Sequence, residues 1–209
     1  FNIPLTFGWG MTETSAIGTI HRGDDYLKRP TSCGLNVPHL TELSIIDDNW
    51  NFLKSDEIGE IVFKSPTNMK GYLKNHEETQ KTIKDGWLKT GDLGYIDDDG
   101  YLFIVDRKKA LIIRGGENIS TLEIENSLDK HDDVLESCVC GIPDEKFGEI
   151  VGVLIYTAKK IEENEIKTFL SQNLAAYKIP EIIKFTNKPL QRIASEKIDR
   201  VGIKNMLSS

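Results

Sequence analysis

Cysteine is scarce in this chain of 209 residues: Cys33, Cys138 and Cys140 make an odd set of three. That excludes a disulfide framework and points to reduced thiols and a cytoplasmic setting. Cys138 and Cys140 stand two apart in an apolar run, where a strand would put both side chains on one face. No apolar run approaches the roughly 20 residues that a membrane helix needs, so no integral membrane segment is expected. Positive charge is short as well, with 26 Lys and Arg against 33 Asp and Glu and a net charge of −7. This argues against a nucleic-acid partner while leaving room for a local basic pocket around one nucleotide. The opening "FNIPLTFGWG" has no initiator Met, no charged leader and no cleavage pattern, so a piece of a longer chain is expected. Internal repeats and low-complexity segments are also lacking.

What the chain does have is 39% hydrophobic and 28% charged residues, an ordinary globular balance sufficient for two small domains. From Thr31 to about Asp106, short apolar runs alternate with Asp, Asn, Gly and Pro: "ELSIIDDNW", "IGEIVFKSP" and "GWLKTGDLGYIDDDGYLFIVD". This spacing predicts an antiparallel sheet or small barrel. Within it, "DDDG" (Asp97 to Gly100) predicts a hairpin turn, since Tyr95 stands where the first ligand of a calcium loop would fall and no Glu closes it. Beyond "DRKKALIIRGGENIS" the pattern mixes helix and strand. Ser120 and Glu123 have capping-box spacing, and Ile124, Leu128 and His131 repeat helically, which predicts a helix over 121–130. "ESCVCGIP", "EIVGVLIYTA" and "EIIKFTN" predict strands, and "EENEIKTFLSQNL" predicts an amphipathic helix with Ile166, Phe169 and Leu170 inward. The fold class is therefore α+β: a barrel-like antiparallel subdomain over 1–106, then a small α+β domain over 107–209, with a hinge near Lys109.

Four clusters have chemical possibilities, and each also has a plain structural reading. "GWGMTE" (Gly8 to Glu13) offers backbone for close approach, a flat ring for a base, and a hydroxyl and carboxylate hard enough for Mg²⁺; it is equally a polar turn. "GWLKTGDLG" places Asp92 where a carboxylate can accept two ribose hydroxyls, or merely cap its own turn. "RKKALIIRGGENIS" joins a basic cluster to Gly115 and Gly116, either a loop over an extended ligand or a hairpin bend. Lys197, in "RIASEKIDR", is by itself an ordinary solvated lysine.

In order and spacing, these clusters together resemble the adenylate-forming superfamily: acyl- and aryl-CoA synthetases, firefly-type luciferases and peptide-synthetase adenylation domains. The resemblance spans nearly the whole chain. It rests on Trp9-Gly10-Met11-Thr12-Glu13, on Gly86 to Asp92, on the Asp-Arg-x-Lys-x-x-Ile strand leading to Gly-Gly-Glu-x-Ile (Asp106 to Ile119), and on the late Lys197-Ile198. The segment "IGEIVFKSPTNMKGYLKNHEET" is similar to that of fatty-acyl and coumarate-type CoA ligases in particular. The resemblance implies that ATP, Mg²⁺, CoA and a carboxylic acid are the ligands. Gly8, Trp9, Gly10 and Met11 would line the nucleotide, Thr12 and Glu13 its phosphates and Mg²⁺, and Asp92, Ile104 and Arg107 the nucleoside. Lys109 falls at the hinge position, Lys197 at the catalytic lysine of adenylation, and Gly115, Gly116 and Glu117 on the strand that meets the nucleotide and pantetheine in the thioester step.

The chain also departs from the pattern. The family's Ser/Thr/Gly-rich phosphate loop and its acyl pocket do not occur here; by family layout they precede Phe1, and the piece alone is expected to be inactive. Ala110 stands where an acid is common, Thr121 and Gln191 where Pro is common, and Glu196 where Gly precedes the lysine. Glu196 brings a charge that repels phosphate, and a Cβ that resists the left-handed backbone glycine allows; alternatively its side chain points into water. Three readings follow: an acyl-CoA ligase, favoured by the linking segment and Lys109; an enzyme loading a carrier protein; and a degenerate module that binds nucleotide or a partner protein without turnover. The acid and the oligomeric state are not legible.

Overall fold

The computed structural model describes residues 6–209. Its contacts divide the chain between Lys108 and Lys109 into two compact units. Arg107 and Lys108, grouped with the second domain by the sequence reading, are held in the first. The Lys108 amide donates to the Gly91 carbonyl (2.8 Å), and its ammonium reaches Asp48 (2.6 Å) and Glu60 (3.1 Å). Burial opposes that charge, but the two carboxylates prevail and raise the Lys108 pKa.

The first unit opens with an antiparallel sheet of β1 (Thr6–Trp9), β2 (Thr19–Arg22) and β3 (Leu35–Asn36), with the short α1 (Asp24–Lys28) after β2. A second antiparallel sheet, half of a barrel, follows: β4 (Glu42–Ile46), β5 (Gly59–Lys64), α2 (His76–Thr82), β6 (Ile83–Lys84), β7 (Trp87–Ile96) and β8 (Leu102–Arg107). β4 and β5 pair, β7 lies beside β5, and β6 and β8 flank β7. Ile45, Ile61, Phe63 and Leu102 form the core under this sheet, with Trp9, Cys33 and Ile104 packed against it. "DDDG" is the β7–β8 hairpin turn, as its composition predicted, with Asp97 Oδ1 accepting from the amides of Asp99 (3.1 Å) and Tyr101 (2.8 Å).

The second unit is three-layered. The hairpin of β9 (Ile112–Arg114) and β10 (Glu117–Ile119) leads to α3 (Thr121–Leu128), then β11 (Glu136–Asp144), β12 (Gly148–Tyr156), α4 (Glu163–Ser171), β13 (Ile182–Thr186) and α5 (Arg200–Ser208). Ser120 caps α3 by accepting from the Glu123 amide (3.1 Å). The helix stops two residues short of the expected end, and His131 packs edge-on against Phe169 (4.8 Å) instead of continuing it. Strand alternation sorts β11 and β12 into two faces. Val139, Val151, Val153 and Ile155 meet Ile124, Leu128, Ile166 and Leu170 of α3 and α4; Cys138, Cys140, Ile142 and Leu154 meet Ile203 and Leu207 of α5. The two thiols indeed share a face, 3.9 Å apart, and all three cysteines are free.

Candidate functional site

The turn between β1 and β2 is pinched shut at its base. A Cβ on Gly10 would stand 2.6 Å from the carbonyl carbon and oxygen of Ala16, so only glycine permits that approach. A one-turn 3₁₀ helix, Thr12–Thr14, follows, and the buried Thr14 hydroxyl closes it by donating to the Met11 carbonyl (3.0 Å). Trp9 leaves this turn with its ring 5.5 Å from Phe63. The segment after β5 braces the other side. The Met69 amide donates to the Glu13 carbonyl (2.7 Å), Ser15 Oγ to the Thr67 carbonyl (2.9 Å), and the Tyr72 hydroxyl to Glu13 Oε1 (3.2 Å). Burial, and then the Glu13 charge, push the Tyr72 phenol above its ordinary pKa. Thr12 is exposed and Glu13 half-buried. Among the described residues no group of three His, Cys, Asp or Glu is arranged to hold a metal ion alone. A single braced carboxylate beside a hydroxyl fits Mg²⁺, which is commonly held by one or two carboxylates plus substrate phosphates.

Asp92 sits on a bulge. Register along β5 and β7 runs from Glu60↔Leu93 to Val62↔Lys89, so the segment at Asp92 is unmatched and its side chain is re-aimed. Its own amide donates to Thr90 Oγ1 (3.1 Å), and Thr90 in turn holds the Ile61 carbonyl (2.9 Å). The carboxylate is only 12% exposed and meets Arg107 Nε at 3.2 Å across the ladder; the Arg107 side chain is 69% exposed. Ile104 faces Gly94 on the same ladder and packs with Trp9 and Cys33 on the shared core. The first unit thus draws Trp9 and Ile104 into one cluster and Asp92 and Arg107 into one pair. Sequence reading missed Cys33, whose thiol is raised in pKa by burial, against a hydrogen bond from the Ile104 backbone and with the nearby Asp92 charge adding to the rise. It also missed the Tyr72 contact, which joins residues 59 apart and has no local signal.

In the second unit, Lys109 is exposed at the chain's entry. Gly115 (φ 59°) and Gly116 (φ 92°) form a two-residue hairpin turn between Arg114 and Glu117, its two positive φ angles those of a type I′ turn. The Gly115 amide donates to the Phe147 carbonyl (2.8 Å), tying the turn to the start of β12. Lys197 is exposed on a small loop closed by the Arg192↔Ile198 bridge and by Arg192 donating to Glu136 Oε1 (2.6 Å). Glu136 opens β11, whereas β9 joins β12 at Gly148, beside the far end of β11. Eight residue steps of strand separate these anchors, about 26 Å at the usual rise. The lysine loop and the glycine turn therefore occupy opposite ends of one sheet. Glu196 has φ 61°, the left-handed backbone that glycine would adopt freely, and its side chain is exposed.

Two family descriptions match the chain: AMP-binding enzyme over residues 1–73 and AMP-binding enzyme C-terminal domain over residues 123–197. The 2-succinylbenzoate–CoA ligase of Listeria monocytogenes serotype 4b is 40% identical over 204 residues, 97% of this chain and 41% of that protein. That of Bacillus pumilus is 43% identical over 202 residues, 97% of this chain and 41% of that protein. The chain thus spans about two fifths of the length of the curated relatives it matches. Among solved structures, o-succinylbenzoate CoA synthetase from Bacillus subtilis, in complex with the acyl-adenylate intermediate OSB-AMP, superposes with a TM-score of 0.89 at 34% identity, covering 97% of this chain and 41% of that one. The same enzyme with ATP and magnesium ion gives 0.87 at 33% identity, covering 99% and 42%. ATP-bound MatB from Rhodopseudomonas palustris gives 0.88 at 31% identity, covering 98% and 41%. With both of its family descriptions matched and the fold shared throughout, the chain belongs to the adenylate-forming, AMP-binding enzyme superfamily.

Proposed function

We propose that this chain is part of a cytoplasmic, ATP-dependent acyl-CoA ligase that activates an aryl carboxylic acid as its acyl-adenylate and passes the acyl group to CoA. The observation that carries this reading is the placement of Lys197 and of Gly115–Gly116 at opposite ends of one sheet. In this reading the second unit offers each to the reacting centre in turn, one per half-reaction, with Lys109, the first residue of that unit, as the pivot.

In the first half-reaction a carboxylate oxygen attacks the α-phosphorus and pyrophosphate leaves. Trp9 and Ile104 border the adenine, with Gly8, Gly10 and Met11 as close backbone. Asp92 accepts the ribose hydroxyls and Arg107 reaches the same sugar. Thr12 and Glu13 face the phosphates and would hold Mg²⁺, which when bound would supply charge neutralisation there. Lys197 stabilises the negative charge that builds as pyrophosphate departs. In the second half-reaction the thiol sulfur attacks the acyl carbon, AMP leaves and the thiol proton passes to solvent. Gly115, Gly116 and Glu117 line the approach of the pantetheine. Dividing the reaction in two gives the carboxylate the leaving group it lacks.

The test is AMP release by the full-length protein with 2-succinylbenzoate, ATP and Mg²⁺, comparing CoA with carrier protein as acceptor. At least tenfold faster release with CoA is expected; release with carrier protein alone would transfer the reading to a loading enzyme. Glu196 supplies a smaller effect. Its left-handed φ costs a non-glycine residue about 1 kcal/mol or more, and water screens its exposed carboxylate. Glu196→Gly is expected to speed pyrophosphate exchange about threefold. An unchanged rate would mark the glutamate as harmless and leave the degenerate-module reading without its main support.

A further inference from the structure

We infer that Tyr72 is the positioning residue for the Glu13 carboxylate: its hydroxyl engages Oε1 and so leaves Oε2 for the cation that Glu13 would hold. The inference rests on the reading of Glu13 as the Mg²⁺ ligand and extends it to a residue outside the loop. Its basis is a chain of contacts that fixes the phenol before any ligand arrives. α2 is capped by Asn75, whose Oδ1 accepts from the Glu78 amide (3.1 Å). Thr79 of that helix donates to the Asn75 carbonyl (2.8 Å) and accepts from the Tyr72 amide (2.9 Å). Gly71, at φ 152°, lies so near Thr79 that a Cβ there would meet Cγ2 at 2.7 Å. Tyr72 is thereby held by backbone and helix, with its hydroxyl 3.2 Å from Glu13 Oε1. The Glu13 main chain is pinned separately, its carbonyl accepting from the Met69 amide (2.7 Å).

Among the described residues, no other side chain hydrogen-bonds the Glu13 carboxylate. A glutamate has three side-chain torsions, and a half-exposed one without a partner samples several rotamers. The Tyr72 bond selects one rotamer and leaves the second oxygen free. It is also charge-assisted, and so among the stronger hydrogen bonds a side chain makes. A cation ligand held in this way binds without first losing that freedom, which is the advantage of a supporting shell around a metal site.

The experiment uses the full-length protein and Tyr72→Phe, which keeps the ring and removes only the hydroxyl. Two quantities are read: the Mg²⁺ concentration that half-saturates pyrophosphate exchange with 2-succinylbenzoate, and Mn²⁺ binding in the presence of ATP, followed by electron paramagnetic resonance without turnover. Both are expected to weaken about tenfold, while the KM for 2-succinylbenzoate and the melting temperature stay unchanged. A fall in kcat or in melting temperature with both metal curves unmoved would assign Tyr72 a purely structural role and overturn the inference. Glu13→Gln separates the two layers. If Glu13→Gln weakens metal binding and Tyr72→Phe does not, the Tyr72 proposal alone fails. If Glu13→Gln leaves the metal curves unmoved, the ligand reading fails and Tyr72 falls with it.

Discussion

Lys197→Ala in the full-length protein is expected to slow acyl-adenylate formation by about 10²- to 10³-fold, the usual loss when one preorganised charge-stabilising group is removed. Conversion of supplied acyl-AMP and CoA to acyl-CoA is expected to stay within about threefold of the wild-type rate, since that step leaves no pyrophosphate charge to stabilise. The asymmetry follows from structure as well as chemistry. Lys197 is on an exposed loop anchored at Glu136, a strand's length from the glycine turn. It bears no structural ion pair among the described residues, so its loss leaves the fold intact. Pyrophosphate exchange and single-turnover thioester formation, measured side by side, check this. Equal losses in both would mean that Lys197 does not belong to one half-reaction, and the division of labour would collapse.

Asp92→Ala is expected to behave in the opposite way and lower both half-reactions by about 10²-fold or more, because the two charge-assisted hydrogen bonds to a ribose that we propose for Asp92 would be lost in both. The ribose belongs to ATP in the first step and to the acyl-adenylate in the second. Nucleotide binding should weaken to match, which equilibrium titration with AMP can measure directly. Since Asp92 is nearly buried and paired with Arg107 at 3.2 Å, Asp92→Asn serves as the shape-preserving companion. It should retain the melting temperature and still lose nucleotide affinity. If Asn binds AMP as tightly as the wild type, the carboxylate is only a structural partner of Arg107.

Much of the fold was legible because its signals are local. The Ser120 cap, the alternation through "ESCVCGIP" and the Asp97 turn each predict one element, and each element formed. α5 went unread, although Asp199 caps it and Ile203 and Leu207 stand one turn apart on its buried side. Gly202 in its first turn weakens the helical pattern, and only packing on the Cys138–Cys140 face compensates. α2 went unread for a different reason: none of its residues is buried, so no apolar stripe announces it. At the candidate site, the local turn that carries Trp9 to Glu13 and the strand that carries Asp92 could be read from their own segments. Contacts across the sequence were not. The Tyr72 bond to Glu13 and the Cys33 thiol beside Asp92 arise only from the packing of loops far apart in sequence, and the 26 Å or so between the lysine loop and the glycine turn only from strand pairing.

The most direct test of two half-reactions on one protein is a chemical-quench experiment with the full-length protein, 2-succinylbenzoate, ATP and Mg²⁺, with CoA first withheld and then added. The account predicts a burst of about one equivalent of acyl-AMP per active site before CoA, followed by its stoichiometric conversion to acyl-CoA and AMP. Acyl-CoA formed with no acyl-AMP at any time, or acyl-AMP that CoA does not consume, would contradict it.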